Sequence, residues 1–95
     1  MKRLPKSFRL LGHTIAVRII NQSDWKYKDE WGWWDPNKNE ILLVRQPRTQ
    51  LRHSYWHEVT HAMLDMVGQT KLSADERFVD QIGGLLAQIM DTAEF

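Results

Sequence analysis

HSYWHEVTHAMLD, residues 53–65, is where the period of this chain changes from that of a strand to that of a helix. Set His57 at 0° and step about 100° per residue, and Leu51, Tyr55, Val59, Ala62 and Met66 fall in one sector at roughly 120° to 200°. His57, Glu58, His61 and Asp65 fall in the opposite sector, from 0° to about 100°. One face is core and the other carries polar, metal-capable side chains. Gly68 follows as a terminator, because glycine tolerates the left-handed backbone that closes many helices.

Upstream, HTIAVRII (13–20) alternates Ile15, Val17 and Ile19 with Ala16, Arg18 and Ile20, the period of a strand with one better-buried face. WKYKDEWGWWDPNKNEILLV (25–44) predicts two strands around the turn DPNKN, with the aromatics of Trp31 to Trp34 on one arm and Ile41 to Val44 on the other. Trp31 or Trp33 is expected in the core, since a short chain needs its large aromatics there. Downstream, SADERFVDQIGGLLAQIM (73–90) predicts a second helix over about 74–91, with Ser73 and Glu76 in capping-box spacing. Phe78, Ile82, Leu85, Leu86 and Ile89 share its apolar face, and Glu76, Asp80, Gly83, Gly84 and Ala87 line another. Two adjacent glycines inside a helix each cost about 1 kcal/mol against alanine, which asks for close approach to the preceding helix.

The expected fold is therefore α+β: a small N-terminal antiparallel sheet, then the helix bearing residues 53–65, then a second helix. At 95 residues the chain is one domain, 1–95, with one modest core. Apolar residues at 42% and charged residues at 26% exclude a disordered chain. Lys2, Arg3, Lys6, Arg9 and Arg18 precede the first acid, Asp24, and residues 1–10 read as a flexible, solvated basic arm. With a net charge of only +1, nucleic acid is not an expected partner. No signal-peptide pattern and no run of about 18 apolar residues is present, so the expectation is a soluble, cytoplasmic protein with no membrane partner. The absence of cysteine removes disulfides and thiolate metal sites, leaving His and carboxylates as possible ligands.

The spacing of His57 and His61 puts both imidazoles on one face, one turn apart, where they can bind one zinc ion. Glu58 then stands beside the metal. From there a carboxylate can take a proton from a metal-activated water and return it to a leaving amine, the logic of HExxH in metalloproteases. His53 and His61 lie about 12 Å apart along the axis, too far to share an ion, so His53 is a neighbour of the cleft. No His follows His61, so the third ligand must be a carboxylate, and Glu76 and Asp80 both qualify.

HEVTHAML with a following ExxxD, Glu76 to Asp80, resembles the gluzincin metallopeptidases. The hairpin before HExxH and the string ERFVDQIGGLL look more narrowly like short ImmA/IrrE-type and phage-encoded zinc metallopeptidase domains. That resemblance implies zinc as cofactor, peptide-bond hydrolysis with Glu58 as catalytic base, His57, His61 and Glu76 as metal ligands, and Asp80 orienting one of the zinc-bound histidines. It also implies a protein or peptide substrate laid as an extended strand along Glu40–Arg45. Gluzincins commonly use a Tyr or His beyond the second helix to steady the oxyanion. This chain has neither there, which leaves Tyr27, His53 or Arg77 as candidates for oxyanion or substrate contacts. The alternative is a catalytically weak or inactive zinc-containing module that binds a protein partner.

Overall fold

The computed structural model describes residues 3–95. Four strands, β1 (Ser7–Leu10), β2 (His13–Ile20), β3 (Gly32–Asp35) and β4 (Glu40–Val44), precede helices α1 (Arg48–Met66), α2 (Thr70–Ser73) and α3 (Glu76–Thr92). The architecture is α+β, one sheet followed by helices, as the change of period requires.

The hairpin β1–β2 turns through Leu11 and Gly12, with φ of 47° and 82°. Positive φ at both central residues is the type I′ geometry whose twist suits a two-residue connection. Ser7–Leu10 is thus a paired strand, and Leu4, Phe8 and Leu10 pack against the core, so most of the expected basic arm is part of the fold. Met1 and Lys2 lie outside the described residues. In the second hairpin, β3–β4, the Asp35 side chain accepts from the backbone N–H of Asn37 at 2.9 Å and of Lys38 at 3.3 Å, closing the DPNKN turn.

Strand order is β1-β2-β4-β3, and β4 runs parallel to β2, from Ala16 opposite Glu40 to Ile20 opposite Val44. This corrects the expected sheet, which is mixed and not wholly antiparallel. The physical reason lies in β4 itself: Ile41 and Leu43 are fully buried and Val44 nearly so, a continuous apolar run suited to a central strand. A second correction follows. Glu40–Val44 is paired on both sides and cannot accept an added strand; the open edges are β1 and β3.

α1 lies across one face of the sheet, where Tyr55, Val59 and Ala62 close a core with Ile15, Val17, Trp34, Ile41 and Leu43. Strand alternation turns Gly32 and Trp34 inward and leaves Trp31 at 51% and Trp33 at 38% exposure, so Trp34 is the core tryptophan instead of the expected Trp31 or Trp33. The C-terminus of α1 has both bonds of a Schellman motif, Gln69 N–H to Leu64 C=O at 2.8 Å and Gly68 N–H to Asp65 C=O at 3.1 Å, with Gly68 at φ 78°.

α3 begins later than the capping-box reading placed it. Asp75 is the N-cap, accepting from the Phe78 N–H at 3.1 Å, while Ser73 belongs to α2. That change leaves the Glu76 carboxylate free to turn elsewhere. α3 packs on α1 through Val79 and Gly83, its two buried residues. A Cβ on Gly83 would lie 3.0 Å from the His57 backbone N and Cα and 3.1 Å from the Trp56 carbonyl carbon. The glycine pair thus marks the close approach its cost demanded. The apolar stripe of Phe78, Ile82 and Leu86 is only half-buried, with Leu85 and Ile89 exposed. Among the described residues, no helix is long and apolar enough to cross a membrane.

Candidate metal centre

Three side chains from two helices converge. His57 Nε2 lies 3.1 Å from Glu76 Oε2, and His61 Nε2 lies 3.0 Å from Glu76 Oε1. One donor atom from each of the three can be chosen so that all lie within 4.8 Å of one another. In a tetrahedral zinc site with bonds of about 2.0–2.1 Å, ligand atoms stand roughly 3.3 Å apart, so this cluster needs little adjustment to hold such an ion. Two imidazoles and one carboxylate are also the donor set of a His₂Glu catalytic zinc site. The residues present fit the ion that the sequence pattern implies.

The far nitrogen of each imidazole is held as well. His57 Nδ1 lies 3.2 Å from Asp80 Oδ1, and His61 Nδ1 lies 3.1 Å from Ser73 Oγ. A proton kept on Nδ1 by such a partner leaves the Nε2 lone pair for a metal. Of the two possible third donors, then, Glu76 faces both Nε2 atoms, whereas Asp80 stands behind the His57 ring. Burial holds the His61 imidazole below its ordinary range, with the Glu76 carboxylate opposing and His57 reinforcing the shift. The neutral ring is the form that coordinates a metal.

Glu58 points into the same space from the sheet side of α1 and is buried. Burial pushes its carboxyl up to about 8, the charges of Glu76 and Glu30 add to that, and the Trp34 backbone N–H opposes it. The room for this side chain comes from β3. A Cβ on Gly32 would lie 2.9 Å from Glu58 Cγ and 3.0 Å from Glu58 Oε2. The glycine of WGWW is therefore what lets the strand lie flat against the carboxylate. Asp65, one turn beyond His61, accepts from Trp34 Nε1 at 2.9 Å and ties β3 to the end of the site.

A cleft runs past this group between β3 and the helices. One chamber of about 260 Å³ is lined by His57, Glu58, His61 and Glu76 together with Trp34 and Asp65. A second of about 170 Å³ shares Glu30 with the first and adds Trp31, His53 and Asp80. His53 thus borders the cleft, its Nε2 3.1 Å from Asp80 Oδ1, and this hydrogen bond is the main reason the Asp80 carboxyl sits below the usual range. Tyr27 does not line either chamber. Its ring stacks on Trp33 with centroids 4.4 Å apart, and Arg77 is likewise absent from both linings.

The four-residue spacing of the histidines places His57, Glu58 and His61 together, as the sequence implies. Ser73, Gly32 and Glu30 went unrecognised as site residues. For Gly32 a signal existed, since an isolated glycine inside a strand pattern often marks close approach. Ser73, at the end of α2, and Glu30, just before β3, reach the site through the path of the chain between elements, which no local pattern reports. Comparison with known proteins finds no matching family model, no matching curated protein and no matching solved structure.

Proposed function

We propose that the protein is a gluzincin-like zinc metallopeptidase that cleaves a peptide bond in a protein substrate bound as an extended strand. The observation that carries this reading is the convergence of both Nε2 atoms on Glu76 with the buried Glu58 beside them. His57, His61 and Glu76 would hold zinc with a fourth position open, and zinc there supplies Lewis-acid polarisation of a carbonyl and lowers the pKa of water. A purely structural site has no need of Glu58.

The chain's own groups then divide the work. Glu58 takes a proton from the attacking water onto a carboxylate oxygen and passes it to the nitrogen of the departing amine. Gly32 keeps the carboxylate in place by offering no side chain to displace it. Asp80 and Ser73 hold the two imidazoles at Nδ1. The substrate strand adds to β3, not to β4. Val44 N–H bonds Trp31 C=O at 3.2 Å, so by antiparallel alternation Gly32 and Trp34 turn their peptide groups toward the open edge beside the cleft.

The test compares wild type with Glu58→Gln for zinc content and for cleavage of a peptide library. One bound zinc in both proteins, with cleavage only in wild type, is the expected result. Zinc in both with cleavage in neither would leave a metal-containing binding module, and wild type that takes up no zinc would end both readings.

A further inference from the structure

Two tryptophans beside the cleft face away from it. In WGWW (31–34) the alternation that turns Gly32 and Trp34 toward α1 sends the Trp31 and Trp33 side chains to the other face of the sheet. The register agrees, since Trp31 C=O accepts from Val44 N–H at 3.2 Å and Trp33 stands opposite Leu42. Both rings remain partly in water.

Trp33 is nevertheless held in place. Tyr27 stacks flat on it, with centroids 4.4 Å apart and planes 5° from parallel, and Trp25 meets Tyr27 edge-on at 5.3 Å. Trp25 Nε1 in turn donates to the Tyr27 C=O at 2.8 Å and to the Glu30 C=O at 2.9 Å, which fixes the loop that carries Tyr27. Trp31 is anchored through its backbone, where its C=O also accepts from Gln46 Nε2 at 3.0 Å. Two large aromatic surfaces are thus preformed on an edge strand and still wet, so covering them demands little further ordering.

A strand added at β3 has no freedom in where its side chains go. Gly32 and Trp34 direct their peptide groups to the open edge, so an antiparallel substrate forms non-hydrogen-bonded pairs opposite Trp31 and Trp33. Such pairs have Cα atoms about 4.5 Å apart and side chains in contact on one face, here the outer one. The substrate residue between them stands opposite Gly32 and points to the α1 side, where the Glu58 carboxylate lies. Its two neighbours therefore meet the two indoles. Aromatic and branched aliphatic side chains gain from that pairing, whereas small polar ones leave both rings in water.

We infer that the outer face of β3 is a substrate subsite, in which Trp31 and Trp33 select large apolar side chains on either side of the residue that enters the cleft. This rests on the metallopeptidase reading and names its substrate class, an extended segment of pattern apolar-x-apolar. Trp31 and Trp33 are specificity-determining residues here, and the metal ligands and Glu58 keep the roles already described.

Two measurements test it. Zinc-loaded wild type is given a library of N-acetylated peptides, and the cleaved bonds are read by mass spectrometry; large apolar residues should be enriched at two positions two residues apart. Zinc-loaded Glu58→Gln is then titrated by calorimetry with blocked peptides that differ only in carrying Phe-Ala-Phe or Ser-Ala-Ser at those positions. Phe-Ala-Phe should bind about tenfold more tightly, the sum expected of two cross-strand aromatic pairs. A peptide of the same composition with its two Phe residues adjacent should lose about threefold, because one ring is then turned to the cleft side. Introducing Trp31→Ser should reduce the tenfold ratio to about threefold, and adding Trp33→Ser should bring it close to one, with zinc affinity unchanged. Trp31 stacks on no other ring among the described residues, so Trp31→Ser alone decides the matter if the double variant fails to fold. Cleavage without apolar-x-apolar enrichment, or a ratio that Trp31→Ser leaves unchanged, overturns the subsite while leaving the peptidase standing. Self-association in sedimentation that Trp31→Ser abolishes also overturns it, because a second copy would then cover the face. Absence of both cleavage and peptide binding removes the peptidase reading and the subsite with it.

Discussion

Replacing Gly83 with alanine should damage this protein twice, and replacing its neighbour Gly84 should improve it. A Cβ on Gly83 would stand 3.0 Å from His57 N and Cα and 3.1 Å from the Trp56 carbonyl carbon, all backbone atoms of α1 that cannot swing aside. Carbon atoms rest at about 3.5–4.0 Å, so the two helices must part by roughly 0.5–1 Å. Overpacking of this kind costs about 1–3 kcal/mol, and the better helix propensity of alanine returns at most about 1 kcal/mol. The net loss should be about 1–2 kcal/mol, or several degrees in Tm for a domain of this size. The same movement carries Glu76 and Asp80 away from His57 and His61, whose contacts to Glu76 are now 3.0 and 3.1 Å. Zinc affinity should fall by about tenfold or more, since displaced partners of metal ligands cost that much. At Gly84 a Cβ would meet only His53 Cε1, at an ordinary 3.6 Å, so Gly84→Ala should gain about 0.5–1 kcal/mol without touching zinc affinity. Urea unfolding of the metal-free proteins followed by tryptophan fluorescence measures the first quantity, and competition with a chromophoric chelator measures the second. A Gly83→Ala variant as stable as wild type with undiminished zinc affinity would refute the helix-contact argument.

Two other expectations are as direct. Glu76→Gln should lower zinc affinity by more than about 100-fold and Asp80→Asn by about 10- to 100-fold, because one removes a donor and the other only the partner of His57 Nδ1; chelator competition giving the opposite order would exchange their roles. Burial pushes the Tyr55 phenol from 10.0 up to about 12, so the unfolded chain loses this proton before the native one does. Stability from this group is fully present below the lower value and is lost as pH rises toward the upper, by at most about 3 kcal/mol in all. The urea midpoint should therefore fall more steeply with alkaline pH in wild type than in Tyr55→Phe, and parallel curves would count against the burial argument.

The features that were legible in the sequence are those set by neighbours along the chain. Four-residue spacing alone places His57 and His61 on one helix face with Glu58 beside them, because helix geometry is local. Gly68 after the last periodic residue marks the end of α1, and DPNKN marks the turn of the second hairpin, for the same reason. Tertiary contacts decided the rest. Whether Ser73 or Asp75 caps α3 depends on how the segment after Gly68 folds back, and the answer freed Glu76 for the histidines while giving Ser73 to His61. Glu76 and Asp80 are equivalent on a helical wheel; only the approach of α3 at Gly83 sets one carboxylate before the Nε2 atoms and the other behind His57. The larger apolar stripe of α3 lost the interface to Val79 and Gly83, since the nearness of two backbones there outweighs the size of side chains elsewhere. The parallel pairing of β4 with β2, and with it the transfer of the open edge to β3, comes from strands brought together by a crossover, which no local pattern encodes. The sequence by itself determined that two imidazoles and a carboxylate share one helix face, and the tertiary structure decided which acid faces both rings and which strand borders them.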